Sequence, residues 1–324
     1  MCWKKITCNI NELNLLGTLS GGQSFRWIHN KELDEWTGIF AKTAWKLRQK
    51  EDCLEYCVLG TLKDLENDKD DAYRSLLINY FRLETNLGEY YKEWSEKDEL
   101  FKTASVQFYG IRMLRQEPVE NLFSFICSQN NHISRISSMV EKLCTNYGKA
   151  ICEYSGVTYY SFPEVEELCS GSKIDKELRN LGFGYRAQFI QKSAAQIVEW
   201  GGEDWFKSLQ DMKYKDAKQE LMKLHGIGPK VADCICLMSL NHLEALPVDT
   251  HVYQIAAQNY LPHLKGKKNV TEKMYAEIGD HFRKLYGDMA GWAHTVLFCA
   301  DLKKFQQNDN DDTGETKRKR KKKK

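Results

Sequence analysis

The sequence predicts an α+β fold, an N-terminal antiparallel β-rich part followed by an all-helical one, and two observations predict it. Apolar residues alternate at strand period only within the first hundred residues, and from Asp70 to about Leu302 they recur at helical spacing. Trp45-Lys46-Leu47-Arg48 and Leu54-Glu55-Tyr56-Cys57-Val58 alternate around Lys50-Glu51-Asp52, which predicts two half-buried antiparallel strands joined by a turn. Upstream, GGQSFRW (residues 21–27) sets two glycines before a Phe25/Trp27 alternation and predicts a further strand that begins at a close backbone approach. In DAYRSLLINYF, Tyr73, Leu76, Leu77 and Tyr80 share one helix face. Residues 118–144 hold two helical stretches broken at Gln129-Asn130-Asn131-His132, and residues 174–200 hold two more joined at Gly182-Phe183-Gly184. KQELMKLHGIGPKVADCICLMSL then reads as helix, tight hairpin, helix. The expected organisation is a β-rich domain with helices over 1–110, a helical domain carrying this hairpin over 111–305, and a disordered acidic-then-basic tail over 306–324.

At 324 residues, 42% hydrophobic and 12% aromatic, the chain can bury the cores of about two domains. No apolar run approaches the roughly 18 residues that a membrane span needs, and MCWKKITCNI does not read as a secretory signal. Eleven scattered cysteines include no CxxC pair, which argues against a zinc ribbon or iron–sulfur frame and for reduced thiols. The net charge of +2 is unevenly placed. Once the eight basic and four acidic residues of 309–324 are removed, 39 basic residues face 41 acidic ones. Affinity for nucleic acid therefore has to come from a local face. The run KRKRKKKK at 317–324 reads as a nuclear import signal that also adheres weakly to phosphates; the plainer reading is a solvated charge run.

Within LHGIGPKVADCICLM, Gly226 and Gly228 permit positive φ, and Pro229 suits a first helical turn. Such a hairpin leaves unpaired amides at a helix N-terminus, where the dipole favours an anion such as a DNA phosphate. HGIGP by itself reads better as a plain αα-corner. Lys230 adds chemistry: Val231, Cys234, Ile235 and Met238 form an apolar stripe at i, i+3, i+4 and i+7, and the lysine stands beside it. Most helix lysines are merely solvated. The second helix rises ~15 Å and the loop 241–248 can span up to ~26 Å, so Asp249 can return to the lysine. Asp249 also precedes a helical pattern at Val252, Ile255 and Ala256 and suits an N-cap, and spacing leaves both roles open.

These residues resemble the helix-hairpin-helix DNA glycosylase superfamily. GGQSFRW, LFSFICSQNNHISRI, LGFGYRAQFI and GWAHTVLFCADL narrow the resemblance to the eukaryotic 8-oxoguanine DNA glycosylases, over about residues 10–303. The resemblance implies a bifunctional glycosylase/AP lyase of base excision repair. Lys230 would attack C1′ of a flipped nucleotide, expel 8-oxoguanine or formamidopyrimidine, and form a Schiff base that β-elimination resolves. Asp249 would stabilise positive charge on the sugar. By the same resemblance the Gly22 carbonyl reads N7–H of the oxidised base, and Cys234 and Phe298 sandwich it. Asn130, Arg135 and Arg186 would pair with the orphaned cytosine, Tyr185 would be the wedge, and His251 would lie near the target phosphate. The implied partners are double-stranded DNA holding an oxidised guanine and, after it, downstream repair enzymes. A monomer in the nucleus is expected, with a mitochondrial fraction left open. No catalytic metal or cofactor is expected beyond a monovalent cation or structural ion at the hairpin loop. Apart from the family, Cys234 and Phe298 read as core, both arginines as solvated surface and His251 as structural.

One departure falls in the pocket. Where the family has glutamine in GWAQ, touching the Watson–Crick edge, this chain has His294, which offers one nitrogen rather than an amide's paired donor and acceptor. With an ordinary imidazole pKa of about 6.5, His294 is expected to titrate near neutral pH and to weaken excision as pH falls. Gln129 in CSQNN is a second difference, expected to matter less. The alternatives are another glycosylase of the superfamily, acting on alkylated bases or mispaired adenine, and a DNA-binding module without chemistry. Several relatives of the first kind carry four cysteines after the aspartate, where this chain has only Cys299. Monofunctional members lack the hairpin lysine, and a pure binding module has no need of Lys230.

Overall fold

The alternation at 45–58 becomes a pair of long antiparallel strands in the computed structural model, which describes residues 2–64, 69–171, 173–267 and 269–301. The tail expected over 306–324 lies outside these residues. Strands β1 (Lys4–Thr7), β2 (Trp27–Asn30), β3 (Glu35–Phe40), β4 (Thr43–Gln49) and β5 (Cys53–Thr61) form one antiparallel sheet in the order β1-β5-β4-β3-β2. Trp45 pairs with Val58 and Leu47 with Tyr56. Trp45, Leu47, Leu54 and Tyr56 are buried on one face, where Tyr73, Leu77, Tyr80 and Phe81 of the helix Lys69–Phe81 join the same core. Trp45 meets Tyr73 edge to face at 5.7 Å, an aromatic contact that adds specificity to the area buried.

The strand expected from residue 21 starts only at Trp27. Gly21 instead ends the helix Leu15–Ser20, and Gly22 takes φ +75, which no ladder accommodates. Side chains replace the ladder. The buried Gln23 amide donates to Arg112 O at 2.8 Å and accepts from Leu114 N at 2.9 Å, while Gln116 Nε2 donates to Gln23 O at 2.8 Å. The all-helical expectation for the second part also needs correction. Strands β6 (Ala150–Tyr154) and β7 (Val157–Tyr160) form a hairpin whose turn places Ser155 at φ +52 and Gly156 at φ +75. A Ser-Gly pair between short β-branched and aromatic runs is a hairpin signal, outweighed in the sequence by long helical patterns on either side. This hairpin approaches β5 so closely that a Cβ on Gly60 would lie 2.6 Å from Cys152 Cβ.

The helical core gathers around two buried elements, Pro118–Ser128 and Pro229–Met238, enclosed by Ile133–Tyr147, Arg186–Glu199, Glu272–Tyr286 and the helix at 290–301. Helices Leu87–Lys97 and Glu99–Gln107 lie before the boundary suggested at 110, yet Leu87, Trp94 and Phe101 pack into this helical core. The α+β class therefore holds, with the two parts interlocked. All eleven cysteines are free, and among the described residues no helix is long and apolar enough to cross a membrane.

Arg112 joins the pieces. It is 1% exposed, pairs with Glu12 Oε2 at 2.6 Å, and donates to Arg82 O at 2.9 Å and Thr85 O at 2.7 Å. Burial pulls its pKa down, with Glu12 opposing the shift. Removing one partner of a buried pair leaves orphaned acceptors, so Arg112→Met should destabilise the fold by about 3 kcal/mol. A lower urea midpoint at unchanged slope is the expected reading, and a shift below about 1 kcal/mol would show the cluster to be dispensable.

Candidate active site

The hairpin runs from the helix Tyr214–Leu221 to the helix Pro229–Met238. Gly226 takes φ +82, and a Cβ there would fall 2.4 Å from the Phe189 ring, so this position demands glycine twice over. Gly228 differs from the expectation of positive φ: it is an extended N-cap at φ −98, ψ 177, with open space where a Cβ would stand. Its lack of a side chain keeps the helix N-terminus accessible to a large anion. The carbonyls of Lys223, His225 and Gly226 already accept from Gln196, Ser193 and Gln129, and no cluster of metal-ligating side chains occurs among the described residues. Other carbonyls of the loop, such as Ile227 O, remain available to a cation, and no chemistry below depends on one.

Beyond the hairpin lies a pocket of about 70 Å³ that opens into a groove of about 1060 Å³. Gly22, Phe125, Lys230, Asp249 and Phe298 line both, and Cys234 and His294 line the pocket alone. Tertiary structure thus brings together five separated stretches, around residues 22, 125, 230, 249 and 298. Lys230 projects from the first turn of its helix with Nζ 5.2 Å from the centre of the Phe125 ring. Both roles left open for Asp249 are met. It caps the helix Thr250–Asn259, its Oδ1 accepting from His251 N at 2.9 Å and Val252 N at 3.0 Å, and it stands at the same rim as Lys230.

Two pocket groups are held neutral. Burial pushes the Cys234 thiol up to about 12 although Lys230 pulls it down, so the thiol does not compete as a nucleophile. Burial likewise pushes His294 down to about 4, outweighing the raising effect of Asp249. The expected titration near neutral pH is thereby corrected, because the ring is 3% exposed and desolvation penalises its cation. His294 Nε2 has no hydrogen-bond partner among the described residues, and the ring lies edge to face with Phe282 at 5.0 Å. Phe298 is half-buried and meets the His251 ring at 6.0 Å, while His251 Nδ1 lies 3.7 Å from Asp301 Oδ2.

Across the groove, Asn130 is exposed at φ +46 and Tyr185 is 45% exposed. Arg135 is exposed in the first turn of the helix Ile133–Tyr147. Arg186 is not the surface arginine that its residue type suggested. It is 4% exposed, donates through one terminal nitrogen to Gln129 O and to Asn130 O (3.4 Å), leaves Nε unpaired, and stacks on Tyr185 at 4.7 Å. Gln129, treated as a minor departure, is the junction of this side: its carbonyl also takes the Tyr185 hydroxyl at 3.4 Å and its amide donates to Gly226 O at 2.8 Å. Phe125 was missed as well, since nothing separates it from the apolar run LFSFIC around it. Gln129 had a signal, a polar cluster ending a helix, but its partners lie about sixty and a hundred residues away.

Because the folded pKa of His294 lies below its ordinary 6.5, the unfolded chain takes up the proton first as pH falls. Stability present above pH 6.5 should decline down to about pH 4, by about 3 kcal/mol in all. His294→Gln should escape that loss, and excision by the two proteins should run parallel from about pH 5.5 to 8. Urea midpoints across the window check the first point. Equal pH slopes for parent and variant would place the ring in solvent.

Residues 5–122 match the family 8-oxoguanine DNA glycosylase, N-terminal domain, and residues 123–278 match the HhH-GPD superfamily of base excision DNA repair proteins. The chain is 39% identical to the N-glycosylase/DNA lyase of Saccharomyces cerevisiae, covering 92% of this chain and 86% of that one. It is 36% identical to the N-glycosylase/DNA lyase of Arabidopsis thaliana, covering 93% and 80%. The 8-oxoguanine glycosylase/lyase of Clostridium acetobutylicum, solved on double-stranded DNA with cytosine opposite 8-oxoguanine, superposes with a TM-score of 0.76 at 29% identity, covering 92% of this chain and 93% of that one. With both halves matched in order around a shared pocket, this chain belongs to the 8-oxoguanine DNA glycosylase family of bifunctional N-glycosylase/DNA lyases.

Proposed function

We propose that Lys230 is the nucleophile through which this chain removes 8-oxoguanine lying opposite cytosine in duplex DNA. The observation that carries this reading is the shared rim. Lys230 and Asp249 stand where a small pocket meets an open groove, and the neighbouring Cys234 is held as a thiol. The Lys230 amine, once deprotonated, bonds to C1′ as the N-glycosidic bond breaks and its electron pair leaves with the base. The nitrogen then loses a proton and its lone pair breaks C1′–O4′, with O4′ taking up a proton as the sugar opens. The iminium so formed loses a proton from C2′, and those electrons expel the 3′ phosphate by β-elimination. Asp249, fixed by its cap bonds, faces the positive charge that develops on the sugar.

The base enters between Cys234 and Phe298 with its N7–H toward the Gly22 carbonyl, a donor that guanine lacks. His294 meets the Watson–Crick edge through one neutral nitrogen. Tyr185 fills the vacated stack while Asn130, Arg135 and Arg186 take the cytosine. The free amides of Lys230 and Val231, in the first turn of the helix Pro229–Met238, hold a phosphate, and His251 approaches another. The bacterial relative's complex with cytosine opposite 8-oxoguanine supports this choice of lesion pair. Nicked product passes to downstream repair enzymes.

Borohydride should trap a covalent complex on duplex DNA holding 8-oxoguanine opposite cytosine, and Lys230→Gln should abolish trapping while lesion binding survives. An adduct formed by the variant would move the nucleophile elsewhere. The basic run at 317–324 would direct the protein to the nucleus. Deleting it should shift a tagged protein to the cytoplasm and leave cleavage of short duplexes intact; unchanged nuclear retention would overturn that reading.

A further inference from the structure

Asp233 has no part in the chemistry above, yet it is fully buried one turn past Lys230 on the same helix. At i+3 it leaves the helix beside the pocket rather than into it. Its Oδ1 accepts from the Tyr214 hydroxyl at 2.7 Å; its Oδ2 accepts from Lys218 Nζ at 2.8 Å and from the Tyr275 hydroxyl at 2.5 Å. Burial pushes this carboxyl up, and Lys218 foremost pulls it back down. Both tyrosine hydroxyls are raised by burial and then by the Asp233 charge, so they remain protonated donors.

Tyr275 does a second thing that Tyr214 does not. Its oxygen accepts the Val248 amide at 3.1 Å and lies 3.4 Å from Leu246 O, and Val248 immediately precedes Asp249. The cap bonds of Asp249 run only to its own helix and do not tie that helix to the hairpin. Resting on the reading of Lys230 as nucleophile, we propose that Tyr275 is a positioning residue: anchored by Asp233 on the lysine-bearing helix, its hydroxyl holds the Val248 amide and so sets Asp249 against Lys230. Reaction rate depends steeply on such spacing, whereas duplex binding is spread over the groove and hairpin and does not.

Tyr275→Phe deletes the hydroxyl and keeps the ring. Tyr214→Phe deletes a like hydrogen bond to the same carboxylate without touching Val248, and so controls for loss of stability. Single-turnover release of 8-oxoguanine should fall about 10–100-fold in Tyr275→Phe, with lesion-duplex Kd unchanged within about twofold. Tyr214→Phe should lose a similar amount of thermal stability and keep its rate. Equal slowing by both variants, or a wild-type rate in Tyr275→Phe, overturns the proposal. Should Tyr275→Phe fail to fold, Asp233→Asn, which keeps the side chain's shape but not its charge, should slow release in the same sense, and a wild-type rate there overturns it equally. Loss of the nucleophile reading would register separately, as trapping that survives Lys230→Gln.

Discussion

The helix Pro229–Met238 is buried without interruption from Val231 to Met238, while its first turn meets the open groove, and the site is organised by that asymmetry. Burying Val231, Ile235, Leu237 and Met238 contributes about 1.5–3 kcal/mol each, as an upper estimate. A helix held on every side by such contacts cannot rotate or slide to suit a substrate. Lys230 is therefore delivered to the rim with the rest of the helix as anchor. The glycine at 226, pressed on Phe189, fixes where the helix begins, and the extended Gly228 leaves its amides open.

Burial also sorts the charges of the pocket. Desolvation keeps Cys234 and His294 neutral, so the groups able to carry charge at the rim are Lys230 and Asp249. The histidine at 294 is then not a pH sensor but a small neutral hydrogen-bonding group. Its Nε2 is buried with no hydrogen-bond partner among the described residues.

The segments around Gly22 and Asn130 that line the groove are irregular, and glutamines hold them. Gln23 braces the Gly22 loop against residues 112–116, and Gln129 ties the Asn130 turn to the hairpin and to Tyr185 and Arg186. The Gln23 amide donates and accepts at once, as the missing ladder partner would, whereas Gln129 donates through its amide and accepts through its backbone carbonyl. Gln116 N in turn donates to Met238 O at 2.8 Å, so the Gly22 loop is coupled to the far end of the helix that carries Lys230.

Local pattern by itself determined the strand pair at 43–61, the helices broken at 129–132 and 181–185, and the hairpin, because period, turn residues and glycines act over a few positions. The family motifs named the pocket residues, and Lys230, Asp249, Gly22, Cys234, His294 and Phe298 do line one pocket. Only the tertiary structure decided the rest. Gly22 left the strand where its neighbour Gln23 is held by residues 112–116, β6 and β7 formed against β5, and Arg186 was buried under carbonyls more than fifty residues away. The titration of His294 was likewise set by what surrounds it and not by its residue type. Burial and hydrogen-bond partnership are properties of pairs far apart in the chain, and no window of sequence contains both members.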